Sequence, residues 1–159
     1  MWYKRTGPAL RTNNLMKTIV LAVLTCAACH AQAVTIVNSG STNTAGFQIT
    51  VDPSGKAEYT QRPRVRVIDK TQTPPPATTV NKTIPKRLAN SLYADVHAAR
   101  PLSSLPGRFC AKSTSFGTRL TLEFGDETSP DLSCGDGGNA MLKALIRDVD
   151  AVVKLFRGN

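Results

Sequence analysis

The chain is 159 residues long and carries 20 Lys and Arg against 11 Asp and Glu, a net charge of +9, with four cysteines and two histidines. Beyond residue 33 only His97 remains of the histidines, which excludes multi-histidine metal sites and the His-Glu-x-x-His hydrolase motif. No long apolar segment follows residue 33, so no transmembrane segment is expected in the mature chain.

The N-terminal elements come first in chain order. From Met16, the run MKTIVLAVLTCAACHAQA holds a basic start at Lys17, an apolar stretch from Ile19 to Cys29 and a small-x-small site at Ala31-Gln32-Ala33. That is the order of a cleavable secretory signal, and the run falls short of the about 20 residues a spanning helix needs. Met1 to Leu15, basic through Lys4, Arg5 and Arg11, reads as an extension of the signal or as a segment ahead of the true start at Met16. Residues 1–33 are thus an N-terminal extension and signal peptide, and 34–159 a single domain. Cys26-Ala27-Ala28-Cys29-His30 also matches the attachment pattern of a c-type haem, for which His97 or Met141 would have to be the second axial ligand. Cleavage after Ala33 removes both thiols and His30, and with them that remote alternative. Ala27-Ala28-Cys29 also suits lipidation at Cys29, although Cys26 stands where such sites usually have Leu.

Removal of residues 1–33 takes away four basic residues and no acid, leaving 126 residues with 16 basic against 11 acidic side chains, or +5. This is one domain with room for a modest core, and its charge favours solubility and a loose attraction to anionic surfaces. Cys110 and Cys134 remain, and two cysteines in an exported chain most simply form one disulfide. It closes a loop of a little over 20 residues and stabilises by about 3 kcal/mol on the chain-entropy estimate.

The mature part begins with a short strand, Val34 to Val37, then the polar loop NSGSTNTAG. In FQITV, Phe47, Ile49 and Val51 alternate with Gln48 and Thr50, the period of a half-buried strand. Asp52-Pro53-Ser54-Gly55 is a turn, and Ala57-Glu58-Tyr59 returns to make a hairpin. PRVRVID alternates again, with Val65 and Val67 inward and Arg62, Arg64 and Arg66 on the other face. Without interleaved aromatics this basic stripe reads as a solvated strand guarding an edge, and no specific nucleic-acid binding is expected. TQTPPPATTVNKT is expected to be a long surface connector, and Asn81-Lys82-Thr83 within it matches a glycosylation sequon.

Pro85 opens a helix with its buried stripe at Leu88, Leu92 and Val96, flanked by Tyr93 and Ala99 and ended by Arg100-Pro101. Leu120, Leu122 and Phe124 alternate with Thr121 and Glu123 in another strand; Gly125-Asp126 turns, and Asp131-Leu132-Ser133 is expected to run back. A final helix is capped by Asn139 and carries Leu142, Leu145, Ile146, Val149, Val152, Val153 and Phe156 on one face. The pattern predicts an α+β fold, an antiparallel β-sheet of roughly five to seven strands with two helices packed on one face and one disulfide.

Chemistry is sparse. Asp95 and His97 lie two apart on a helix and so diverge. No Gly-x-Ser-x-Gly elbow, Ser-x-x-Lys or phosphate-binding loop occurs. A serine hydrolase would need Ser113 or Ser115 brought to His97 by the fold. Asp126, Glu127, Asp131 and Asp136 offer oxygen for calcium, but Pro130 breaks the spacing of an EF-hand, and solvated turn acids are the reading taken. No cofactor and no metal is implied.

The segments IVNSGSTNTAGF, CAKSTSFGT and SPDLSC together resemble those of a group of small exported bacterial proteins without an assigned activity. The resemblance covers most of residues 34 to 157. It implies a signal-bearing, single-domain protein with the Cys110–Cys134 pair, and it transfers no catalytic residue. The expected function is a non-enzymatic binding or interaction module, an inhibitory one included, secreted or periplasmic, whose partner is a protein or an anionic envelope component. Ser41, Thr42, Asn43, Lys112 and Ser115 are the candidate polar contacts, and the small hydrolase using Ser113 or Ser115 with His97 is the rival.

Overall fold

The computed structural model describes residues 32–62 and 76–158. The apolar signal run with Cys26, Cys29 and His30, and the PRVRVID segment with Arg64 and Arg66, lie outside the described residues.

Strands β1 (Val34–Asn38), β2 (Phe47–Val51), β3 (Lys56–Gln61) and β4 (Thr78–Thr83) precede helix α1 (Lys86–Ala98). Strands β5 (Leu120–Phe124) and β6 (Glu127–Thr128) follow, and helix α2 (Ala140–Arg157) ends the fold. The six strands form one antiparallel sheet in the order β4-β3-β2-β1-β5-β6. The fold class is therefore the expected α+β, with two helices on one face and Cys110 bonded to Cys134.

Alternation places the core. The register sets Tyr59, Ile49, Ile36 and Leu122 side by side across four strands, and the next row is Ala57, Val51, Val34 and Phe124. All eight are buried, while Thr35, Gln48, Thr50, Glu58 and Glu123 take the other face. Cross-strand neighbours of this kind share one surface, which the helices cover. From α1 come Ala89, Leu92 and Val96; from α2 come Leu142, Leu145, Val149 and Val152. Each fully buried aliphatic side chain contributes roughly 1.5–3 kcal/mol.

The helix ends are held by local chemistry. The Asn139 side chain accepts the Leu142 N–H at 2.9 Å, satisfying one of the unpaired donors of the first turn of α2. At the other end Phe156 stacks on Tyr59 with centroids 5.6 Å apart, and Tyr59 stacks on Phe47 at 5.5 Å. Arg157 lies over the Phe47 ring and Lys82 over Phe156, each at 5.2 Å, so cations close both sides of this aromatic row.

Two expectations are corrected. The second half of the Pro/Thr-rich connector is strand β4, paired to β3 from Lys56↔Thr83 to Gln61↔Thr78. Every β4 residue is exposed, so the edge strand leaves no alternating burial signal and is held by main-chain hydrogen bonds. Asp131-Leu132-Ser133 does not run back as a strand either. The return is the two-residue β6, and Leu132–Cys134 is a 3-10 turn in which the Asp131 side chain accepts the Ser133 N–H. A short acceptor side chain there competes with ladder pairing.

Candidate functional site

The three segments IVNSGSTNTAGF, CAKSTSFGT and SPDLSC meet at one end of the sheet, beyond the C-terminal end of β1 and the start of β5. The long connection from the Leu102–Ser104 turn to β5 has no regular structure, and three devices hold it there.

The first is the Cys110–Cys134 disulfide, with Cα atoms 5.4 Å apart. The second is the Lys112 ammonium, which donates to the Thr118 carbonyl at 2.5 Å, to Asp131 Oδ2 at 2.5 Å and to the Ser133 hydroxyl. Asp131 in turn accepts from the Leu120 N–H at 3.0 Å, the Ser133 N–H at 3.1 Å and the Ser133 hydroxyl at 2.6 Å. Burial pushes the Asp131 carboxyl up, but Lys112, the Ser133 hydroxyl and the two amides overcome it and hold the group below the ordinary aspartate value.

The third device is a seam between two loops. Ser41 Oγ and the Asn43 N–H both donate to the Ser115 carbonyl, at 2.8 and 2.9 Å, and Thr42 Oγ1 donates to the Thr114 carbonyl at 3.3 Å. Ser39 and Arg119 exchange two further hydrogen bonds of 2.9 Å, and the buried Asn38 donates through Nδ2 to Thr118 Oγ1 at 3.2 Å. Glycines make the approach possible. Gly40 has φ +68°, and a Cβ there would stand 2.5 Å from the Gly46 nitrogen. A Cβ at Gly117 would stand 2.5 Å from both Lys112 Cβ and the Ser113 carbonyl.

All five candidate contacts therefore gather at one end. Ser41, Thr42, Asn43 and Lys112 direct the polar groups named above into the loops themselves, and Ser115 supplies the carbonyl that receives two of them. What this platform presents outward is different. Phe109 is 96% exposed and Phe116 70% exposed, each on the braced connection. Arg108, Phe109, Lys112, Arg119, Thr121 and Asp131 line a depression of about 550 Å³ beside the disulfide. Neither Arg108 nor Arg119 pairs with a carboxylate among the described residues. Phe109, Phe116, Arg108 and Arg119 escaped the sequence reading, although Phe109 and Phe116 fall outside every apolar period, a pattern that marks an aromatic without a core to join.

His97 is elsewhere. Its ring meets the Phe124 ring edge-on at 5.2 Å, at the C-terminal end of β5, whereas Ser113 and Ser115 lie before the N-terminal end of that strand. Four residue steps of a strand separate these ends by roughly 13 Å, beyond the reach of a serine–histidine hydrogen bond. The fold thus does not bring Ser113 or Ser115 to His97. No protein-family model matches the chain, and no curated protein matches it.

Among the described residues no three His, Cys, Asp or Glu side chains are gathered to hold a metal ion. Glu127 instead accepts from Arg100 at 2.6 and 2.8 Å and from the Leu102 N–H at 2.8 Å. Among the described residues no helix is long and apolar enough to cross a membrane. A second depression, about 580 Å³, opens beside the β2–β3 turn. Its Asp52 carboxylate is occupied by the Ser54 N–H and hydroxyl and the Lys56 N–H.

A buried polar residue inside the fold was also missed. Asp148 sits within the apolar stripe of α2, three residues after Leu145 and four before Val152, and is 4% exposed. Its Oδ1 accepts from Arg147 Nε at 2.9 Å, and Arg147 reaches Asp95 on α1 at 3.4 Å. Its Oδ2 has no hydrogen-bond partner among the described residues.

Proposed function

We propose that this protein is an exported binding module that engages its partner through the disulfide-braced end of the sheet, without performing catalysis on it. The observation that carries the reading is the exposure of Phe109 and Phe116 on a connection braced by the disulfide, by Lys112 and by the seam at Thr114 and Ser115. Leaving a phenylalanine in water rather than burying it forgoes about 2 kcal/mol, and a braced loop loses little further freedom when such an anchor docks. Exposed aromatic anchors on a rigid support are a common way to build a contact surface.

The Cys110–Cys134 bond suits an oxidising compartment, in agreement with a secretory signal upstream. The segments through which the chain resembles small exported bacterial proteins are the ones that build this platform. A photo-crosslinking residue at position 109, compared with one at the exposed position 154 on α2, tests the reading in cells exporting the protein. A discrete adduct, to protein or lipid, from position 109 and not from 154 is expected. Equal, diffuse labelling from both positions would remove the proposal.

A further inference from the structure

We infer that the partner surface is an anionic lipid bilayer, with Phe109 and Phe116 in its interfacial layer and Arg108 and Arg119 on lipid phosphates. This rests on the functional reading above and names its partner.

Phe109, Phe116, Arg108 and Arg119 are exposed at this end, among small polar residues such as Thr42, Asn43 and Thr114. Phenylalanine offers no hydrogen-bonding handle, unlike tyrosine or tryptophan. Several of the polar groups here are already engaged within the loops: the hydroxyls of Ser41 and Thr42, the Asn43 N–H and the Lys112 ammonium. Asp131, a carboxylate in the same depression, is neutralised by Lys112 at 2.5 Å, so it does not offset the cations beside it. Arg108 and Arg119 keep their charge unpaired among the described residues. Guanidinium groups match phosphate oxygens well, and rings beside them can enter the layer below.

A lipid surface asks for this combination: shallow apolar insertion plus positive charge, without shape complementarity. A single weak anchor gives only marginal membrane binding, so two rings and two cations on one rigid end act together. The braces matter for the same reason: Phe109 directly precedes the disulfide at Cys110, and Phe116 directly follows Ser115, whose carbonyl accepts from Ser41 and Asn43. The net positive charge of residues 34–159 adds a general attraction to the same surface.

The test is co-sedimentation of the protein recovered from the exported fraction, disulfide intact, with vesicles of equimolar phosphatidylglycerol and phosphatidylcholine, and with vesicles of phosphatidylcholine alone. Binding to the anionic vesicles and weak binding to the neutral ones is expected. Phe109→Ser and Phe116→Ser each weaken it by about tenfold or more. Arg108→Gln and Arg119→Gln each weaken it by about fivefold and flatten its salt dependence. Every variant carries the same N-terminus, so any contribution from that segment cancels in the comparison, and an unchanged melting temperature shows that the loops still fold.

Equal binding by the wild type and the serine variants would overturn the inference, as would indifference to lipid charge. Complete release by inorganic phosphate, with soluble phosphate bound equally by the serine variants, would also overturn it by making the depression a free-anion site. If vesicles are ignored while a crosslinker at position 109 captures a protein, the lipid assignment falls and the functional reading stands. If position 109 captures neither protein nor lipid, both fall.

Discussion

Lys112 and Asp131 form the central ion pair of the candidate site: the ammonium meets Oδ2 at 2.5 Å, with side chains only 21% and 16% exposed. The pair joins the segment after Cys110 to the turn before Cys134, so it duplicates in charge the path closed covalently by the disulfide. Lys112→Met leaves Asp131 half-buried without its cation and is expected to lower stability by about 2 kcal/mol. Asp131 titrates below its ordinary value of 3.8 in the folded protein. Its contribution is therefore fully present above that value and disappears as the pH falls through the depressed one. Urea denaturation across this range should show an acid-side loss in the wild type that is much reduced in Lys112→Met. An unchanged acid limb would show that Lys112 does not hold the carboxylate.

Asp95 gives the opposite sign. Burial pushes the Asp95 carboxyl up, the neighbouring Asp148 pushes it further, and Arg147 opposes them. The folded state thus holds a proton that the unfolded chain releases. This contribution is complete below the ordinary value of 3.8 and is lost as the pH rises through the elevated one. Asp95→Asn removes this titration. Melting temperatures measured from about pH 4 to pH 7 should show a decline from this group in the wild type that is absent in Asp95→Asn; parallel curves would show that Asp95 does not supply it.

The disulfide joins residues 24 apart in sequence. Replacing Cys110 and Cys134 by serine removes a constraint on the unfolded chain and is expected to lower stability by about 3 kcal/mol. Because the Lys112 node and the loop seam remain, the far-UV circular dichroism of the double variant should match the wild type below its lowered midpoint. Loss of helix signal at low temperature would mean that the bond is needed for the fold itself.

Gly117→Ala tests the close approach of the loops. A Cβ there would stand 2.5 Å from Lys112 Cβ and from a backbone carbonyl, neither of which is the yielding tip of a flexible side chain. The backbone has to move, at a cost of about 2 kcal/mol, and the Ser41, Thr42 and Asn43 bonds loosen with it. Faster amide exchange at Asn43 in the variant is the direct readout. Exchange unchanged from the wild type would show that the seam accommodates the methyl group.

The hairpin, both helices and the α2 cap were legible because their signals are local. Phe47, Ile49 and Val51 alternate, Leu142 to Phe156 keep helical spacing, and Asn139 stands directly before its helix. Strand β4 was not legible, because an edge strand with all six residues in water has no buried face to impose a period. The 3-10 turn at Leu132 was missed because the Asp131 side chain, and no pattern, decides between a turn and a strand. The candidate site was legible as a set of segments but not as a surface. Ser41, Thr42, Asn43 and Lys112 were singled out as outward contacts; the fold turns their named polar groups inward and leaves Phe109 and Phe116 outside.

By itself the sequence determined the α+β class, the pairing of Cys110 with Cys134 and the faces of the two helices. These follow from spacing and from how few cysteines remain beyond residue 33. Only the tertiary structure decided that residues 39–44, 112–118 and 129–134 share one end, that Ser115 and His97 stand at opposite ends of β5, and that two phenylalanines are left in water. The reason is that these facts depend on contacts between residues as far as 80 positions apart, such as Asn38 with Thr118. The spacing of residues along the chain carries the period of each element, whereas the direction in which a loop side chain points is set by whichever distant group accepts its hydrogen bond.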